Sequence, residues 1–326
     1  MTTPLVLGVD AGGTATRVVV ATLDGRIVGR GRASAGNPIA TDPADTAAAL
    51  GTAIGSALAG HDPSRVVAGV VGLAGVSRLD DPAVAAGYAG HWSRVGLTCP
   101  MRPVGDAAVA FAAGTPADTG TVLIAGTGAV AAVVREGAVT RTADGLGWLL
   151  GDEGSGYWLG LTALRATARA LYRGERVEPG TLSGAICDRV GVTAPNAFVT
   201  RVYELGRDQV AEMAPAVTDS ARSGDPVAVD IVETAARRLA DTLVSLHPAP
   251  GPVVLAGGVL TGVPEIRAGV QQRLAAWLGR PGVIAGDGAS GAAWLALRQA
   301  LPRYAPSQPQ NPEAAEHTHS RLLGST

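Results

Sequence analysis

A chain of 326 residues, 47% hydrophobic and 17% charged, has the length of about two globular domains and is too apolar for a disordered segment. The formal charge of -2 argues against a nucleic-acid partner, and the 26 basic residues are all arginine, which excludes the lysine of a P-loop and every Schiff-base mechanism. Cys99 and Cys187 stand apart without CxxC spacing, no basic leader with an apolar core opens the chain, and the apolar runs 66–76 and 122–134 are too short to span a bilayer, so a soluble, cytoplasmic, reduced protein without zinc or iron–sulfur is expected.

The first apolar run, Leu5 to Val9, meets Asp10, the pair Gly12-Gly13 and Thr14 before a second strand, Arg17 to Ala21. Glycines without side chains leave backbone N–H groups free to cradle phosphate oxygens, and Asp10 at the strand end can face a metal or its water shell. The same residues also make an ordinary turn, and one such motif does not decide between the two. Asp24-Gly25 turns the chain into a third strand, Arg26 to Gly31, and Gly36-Asn37-Pro38 is a loop. Asp42 caps a helix opened by Pro43 and reaching about Ala59. Val66 to Leu73 is a continuous apolar strand, which requires helices on both faces of its sheet. A helix from Asp81-Pro82 to about Val95 and a strand from Cys99 to Val104 lead to Gly105-Asp106.

The pattern then repeats. Strand Thr121 to Ala125, glycine turn Gly126-Thr127-Gly128, strand Ala129 to Arg135, turn Glu136-Gly137 and strand Ala138 to Thr142 copy the opening, which predicts two similar α/β domains facing each other across a cleft. The run from Asp144 to Trp158 is dense in glycine, carboxylate and aromatic residues, and helical patterns continue to about Leu246. Val253 to Val259 is a strand ending in a glycine pair, Pro264 to Leu278 a helix, Val283 to Ala285 a short strand, and Ala289 to Leu301 the final helix. From Pro302 the apolar period is lost and a frayed tail is expected, with no role for His317 or His319.

The ordered set Asp10-Ala11-Gly12-Gly13-Thr14, Gly126-Thr127-Gly128, Gly151-Asp152-Glu153-Gly154-Ser155 and Leu255-Ala256-Gly257-Gly258 resembles the BadF/BadG-type ATPase family from Leu5 to about Leu301, and within it the hexosamine kinases of the N-acetylglucosamine kinase type. The resemblance implies an α/β, two-domain actin-like or hexokinase-like fold of duplicated ribonuclease H-like domains around a nucleotide cleft. The N-terminal domain is expected at 1–107, joined by the final helix 289–301, the C-terminal domain with a helical insertion at 108–288, and a flexible tail at 302–326. ATP with Mg2+ is the implied phosphate donor. Gly12, Gly13, Thr14, Gly126, Thr127 and Gly128 would hold its phosphates, Gly257 and Gly258 would lie against the adenosine, and Asp10 would organise the metal. Asp106 matches the general base that takes the proton from the sugar's primary hydroxyl, and it also fits an ordinary helix N-cap. Asn37 matches a sugar-hydroxyl contact or a turn residue before Pro38; Asp152 matches another sugar contact, and Glu153 fits a helix cap. Trp148 and Trp158 either shelter the pocket or pack in a core.

The chain departs from the N-acetylglucosamine kinases at Asp144, beside Gly145. In that stretch it is similar to the actinobacterial glucosamine kinases, and Asp144 is expected to read the cationic 2-amino group of free glucosamine unless it only caps a loop. The expected activity is ATP-dependent phosphorylation of D-glucosamine at its 6-hydroxyl, with N-acetylglucosamine or a broader range of hexoses as alternatives. The sugar-binding set is Asn37, Asp106, Asp144, Gly145 and Asp152. A sugar-sensing regulator would need a DNA-binding module, and the phosphate hairpin at Leu5 leaves no room for one; a dehydratase-activating ATPase would need cluster-ligating cysteines, and a filament ATPase would need neither Asp106 nor Asp144. The partners expected are the sugar and ATP, with no membrane contact and a homodimer as in relatives.

Overall fold

The structure is a computed structural model that describes residues 3–12, 15–36, 43–73, 76, 92–306 and 311–324. Asp42, most of the helix expected from Asp81, and the site candidates Gly13, Thr14 and Asn37 lie outside the described residues. In chain order the first elements are β1 (Leu5–Ala11), β2 (Thr16–Thr22), β3 (Ile27–Ala33), α1 (Pro43–Ala57), β4 (Val66–Leu73), β5 (Met101–Gly105), α2 (Asp106–Ala112), β6 (Gly120–Ala125), β7 (Ala129–Arg135) and β8 (Ala138–Asp144). There follow α3 (Gly156–Tyr172), α4 (Leu182–Val190), α5 (Pro195–Tyr203), α6 (Arg207–Ala211), α7 (Ala214–Arg222), α8 (Pro226–Ser245), β9 (Val253–Ala256), α9 (Gly258–Gly262), α10 (Pro264–Leu278), β10 (Val283–Ile284), α11 (Gly288–Tyr304) and α12 (Pro312–Leu323).

The chain divides into two compact units, one of residues 1–120, 134–139 and 285–326, the other of residues 121–133 and 140–284. Each carries a five-stranded sheet, ordered β3-β2-β1-β4-β5 in one and β8-β7-β6-β9-β10 in the other. In the first, β1 is antiparallel to β2 and parallel to β4; in the second, β9 runs parallel to both β6 and β10. The repeat legible in the sequence is therefore a repeat of strand order.

Alternation explains why β1 and β4 are apolar throughout. Leu5, Leu7 and Val9 pack with Leu50, Ile54 and Ala57 of α1 on one face of the first sheet, while Val6 and Val70 pack with Val109 and Ala112 of α2 and Ala292 and Ala296 of α11 on the other. Gly8 is required at the second face, because a Cβ there would run into the backbone of Ala289 and Ala293. That close approach seats the start of α11 against the end of β1, where Asp10 lies. In the second unit α3, α8 and α10 bury Leu159, Leu239 and Leu274 in one cluster with β6, β7 and β9.

Two expectations need correction. The first unit runs past 107, because α2 buries Val109 and Ala112 against α11. The expected frayed tail instead forms α12, capped by the Asn311 side chain on the Ala314 N–H with Pro312 in its first turn. Ala315, His319 and Leu322 face inward at helical spacing, with Leu322 fully buried and the His319 ring donating its Nε2–H to the Ala112 carbonyl at 2.8 Å, edge-on to Trp294. Three inward positions, one of them histidine, give too weak an apolar period to reveal a helix.

Candidate functional site

In the first unit Asp10 stands one residue before the end of β1, opposite Arg17 on β2, whose Nη1 lies 3.6 Å from its Oδ2. A Cβ at Gly288 would come within 2.7 Å of the same oxygen, so the glycine opening α11 makes room for the carboxylate. Burial, reinforced by Asp287 and Asp106 and opposed by Arg17, pushes the Asp10 carboxyl up to about 6. Asp106 is the first residue of α2, directly beyond β5. The N-cap position belongs to Gly105, and among the described residues the Asp106 carboxyl is bonded by the N–H of its neighbour Ala107, at 2.9 Å, and by its own backbone N–H, not by the N–H two or three residues on that a capping side chain takes. Burial raises its proton affinity as well. Gly12 closes the described part of the β1–β2 turn, donating to the Ala15 carbonyl at 3.1 Å. Among the described residues no group of three or more His, Cys, Asp or Glu is placed to hold a metal ion, and no helix is long and apolar enough to cross a membrane. A single buried carboxylate still suits Mg2+, which keeps several waters and takes one or two carboxylates plus phosphate oxygens.

In the second unit the two glycine motifs are neighbours at the ends of β6 and β9. Gly257, at a φ of 86°, sits so close to the Ala125 backbone that only glycine fits, and Gly258 opens α9. The Gly126-Thr127-Gly128 turn closes on itself through Gly126 N–H to the Gly128 carbonyl at 2.8 Å. Its carbonyls at Gly126 and Thr127 accept the N–H groups of Gly156 and Tyr157, so the turn is fastened to the start of α3. Ser155, not Glu153, caps that helix, with Oγ accepting from the Trp158 N–H; Glu153 points instead to Arg238, 3.6 Å away.

Asp144 and Asp152 both adopt left-handed backbone, with φ of 60° and 58°. The Asp144 carboxylate accepts the N–H of Asp152 at 2.8 Å and of Glu153 at 2.9 Å, one on each oxygen, which is the loop-capping geometry. Gly145 follows at a φ of 71° and donates to the Ala129 carbonyl. Asp152 is buried beneath the glycine turn, its Oδ1 accepting the Ala129 N–H at 2.9 Å, and a Cβ at Gly128 would approach that oxygen to 2.7 Å. Burial raises the Asp152 carboxyl, with the Ala129 bond and Arg207 opposing. Trp158 packs on the core, whereas Trp148 is 47% exposed beside Leu149 and Leu150, each 75% exposed, its ring 5.6 Å from that of Tyr157. Sequence reasoning missed Asp287, which caps α11 through Ser290 and faces Asp10, although Asp before an alanine-rich helix is a legible cap; Arg17 and Arg207 carried no signal.

Over 244 residues, 72% of this chain and 76% of the other, the chain is 26% identical to the N-acetylmuramic acid/N-acetylglucosamine kinase of Clostridium acetobutylicum. It is 26% identical over 279 residues, 79% of this chain and 86% of the other, to the N-acetyl-D-glucosamine kinase of Dictyostelium discoideum. A solved structure from Chromobacterium violaceum, provisionally named an N-acetylglucosamine kinase, aligns with a TM-score of 0.71 at 26% identity, covering 90% of this chain and 99% of that one. The ROK family glucokinase of Streptomyces griseus, solved with glucose and AMPPNP, aligns at 0.56 and 23% identity over 90% and 98%, a likeness of fold alone. The paired sheets are thus the two-domain actin-like or hexokinase-like α/β fold that the motifs implied. The model of the BadF/BadG/BcrA/BcrD ATPase family matches residues 7–296, and the chain belongs to that family.

Proposed function

We propose that the chain is an ATP-dependent sugar kinase of the N-acetylglucosamine kinase type, acting on the 6-hydroxyl of a hexosamine. The observation that carries the reading is Asp106, a carboxylate at the first turn of α2 whose proton affinity burial raises and which, among the described residues, is bonded only by local backbone N–H groups, those of Ala107 and its own residue. A general base needs that combination: it must take a proton from an alcohol without being held inert by capping bonds. Asp106 accepts the hydroxyl proton as the sugar oxygen attacks the γ-phosphorus and the bond to the β,γ-bridging oxygen breaks, releasing ADP. Asp10 holds Mg2+, which supplies charge neutralisation at the phosphate oxygens when bound. Backbone N–H groups of Gly13 and Gly128, with the hydroxyls of Thr14 and Thr127, contact the phosphates, Gly12 and Gly126 shape the two turns through their own N–H bonds, and Gly257 and Gly258 lie against the adenosine. Asn37, Gly145 and Asp152 contact the sugar. A homodimer remains part of the proposal and is read by sedimentation.

Glucosamine is the acceptor if Asp144 pairs with a 2-ammonium group. N-acetylglucosamine is the second reading, and a specific observation favours it: both Asp144 oxygens already serve backbone N–H groups. The names of the two curated relatives support it as well. A coupled ADP-release assay with Mg-ATP across glucosamine, N-acetylglucosamine, N-acetylmuramic acid and glucose tests both levels. Sugar-dependent ADP from any hexosamine supports the kinase; none from the whole panel refutes it.

A further inference from the structure

Two carboxylate oxygens in the second unit, Asp152 Oδ2 and Glu153 Oε2, are shielded without a hydrogen bond among the described residues, and Asp152 carries the more enclosed side chain, 5% exposed against 39%. Asp152 is 4% exposed, its Oδ1 is committed to the Ala129 N–H, and its Oδ2 is fully shielded yet takes no hydrogen bond among the described residues. A buried anionic oxygen lacking a donor is unfavourable, and native proteins retain few of them. Its nearest cation is Arg207, the first residue of α6, with Nη2 at 3.6 Å: near enough for Coulombic attraction, too far for a hydrogen bond. The Asp152 side chain is 5% exposed and that of Arg207 47%, so the guanidinium has freedom to turn outward while the carboxylate has none. Left-handed backbone at Asp152 and contact with Gly128 keep the carboxylate in place. The result is a fixed acceptor beside an adjustable five-donor cation.

We propose that Arg207 is a specificity-determining residue, which by turning outward uncovers Asp152 Oδ2 for a hydroxyl of the acceptor sugar while favouring neutral sugars over those bearing an ammonium group. The inference rests on the reading of the chain as a hexosamine kinase and narrows it to N-acylated acceptors. A neutral sugar satisfies both members of the pair: a hydroxyl donates to Oδ2, and an acetamide or ring oxygen accepts from the guanidinium. A cationic amino sugar gains the carboxylate but brings its charge beside a second cation. Such like-charge juxtaposition is a standard means of rejecting a wrong partner.

The test compares the wild-type enzyme with Arg207→Ala and Arg207→Gln on N-acetylglucosamine and glucosamine, measuring kcat and KM across pH. The wild type should prefer N-acetylglucosamine, and the preference should shrink about tenfold in both variants, the size expected when one charge contrast is removed. In the Gln variant, which still donates hydrogen bonds, KM for N-acetylglucosamine should stay nearer the wild-type value than in the Ala variant. Wild-type discrimination should also weaken as pH rises through the amine's pKa, because the uncharged amine is not repelled, and both variants should lack that trend. An unchanged preference and unchanged pH trend in both variants would overturn the role of Arg207 and leave the kinase reading intact. Absence of sugar-dependent ADP from the wild type overturns the kinase reading itself, and this inference with it.

Discussion

Asp10→Asn should stabilise the first unit at neutral pH while abolishing sugar-dependent turnover. The Asp10 carboxyl is pushed from 3.8 up to about 6, so the folded state binds its proton more tightly than the unfolded state does. The sign follows: stability from this group is greatest below about pH 3.8, falls as pH rises towards 6, and stays low above that. A shift of about two pH units is about 3 kcal/mol at full value. The side chain is 25% exposed, so solvent screening cuts this to about 1–2 kcal/mol. The value of about 6 is already net of the attraction to Arg17 at 3.6 Å, so that contact takes nothing further from the gain. Asparagine carries no charge at any pH, so the advantage should be near zero at about pH 4 and complete by about pH 7. Amide hydrogen exchange of β1 and α11 peptides, compared between wild type and variant at each pH, reads the first unit directly. Equal differences at both pH values, or slower exchange in the wild type at neutral pH, would refute the assignment of buried charge to Asp10.

Asp106→Asn should lower sugar phosphorylation by about a hundredfold or more while calorimetry finds nucleotide affinity within about twofold of wild type; retained turnover excludes the residue as base. Asp144→Ala removes two carboxylate bonds to backbone N–H groups and should cost about 2–4 kcal/mol locally, read as faster exchange at Asp152 and Glu153 and a KM raised for every sugar alike. A KM raised for glucosamine alone would instead restore Asp144 as the reader of an ammonium group. Gly8→Ala forces a methyl into the backbone of α11 and should cost more than about 3 kcal/mol in urea unfolding; a wild-type midpoint would show that β1 and α11 can move apart. Burial lowers the His319 proton affinity, so α12 should loosen as pH falls through about 6.5 and below, and His319→Gln should flatten that dependence in exchange of the 311–324 peptide.

The three-strand repeat was legible because each half of the chain writes strand, glycine turn, strand, tight turn, strand, whereas the places of β4, β5, β9 and β10 in the sheets carried no local signal. The helix start at Pro264 coincides with a proline at its first position, whereas the Asp287 cap of the last helix went unread. The carboxylates were legible as candidates, since Asp10, Asp106 and Asp152 each sit beside a glycine motif or a strand end. What those side chains do with their oxygens was not legible. Asp144 and Asp152 are both aspartates in left-handed backbone, yet one spends both oxygens on N–H groups while the other buries one without a donor. The difference comes from where Ala129 and Arg207 fall in space, 23 and 55 positions from Asp152 in the chain, and no local pattern encodes it. Burial in α12 escaped notice for a related reason: its partners Ala112, Trp294 and Gly25 come from three separate segments.

Seven of the described aspartates fall into two physical groups. Asp62, Asp144, Asp225 and Asp287 close turns or helix starts by accepting N–H groups, at Ser64, at Asp152 and Glu153, at Leu182 and Ala228, and at Ser290, so each satisfies donors that folding would otherwise strand. Asp10, Asp106 and Asp152 are different, because burial opposes their ionisation and raises the proton affinity of all three. For folding alone an asparagine or a small apolar residue would serve better at Asp10, and the gain expected from Asp10→Asn measures how much stability the native charge withholds. Sequences that keep such a charge do so against the grain of stability, which is the pattern of sites shaped for chemistry. The burial energetics are independent of the motif resemblance, and the three side chains whose ionisation burial opposes are all among the candidates that the resemblance implies, whereas Asp144, another candidate, is spent on backbone N–H groups.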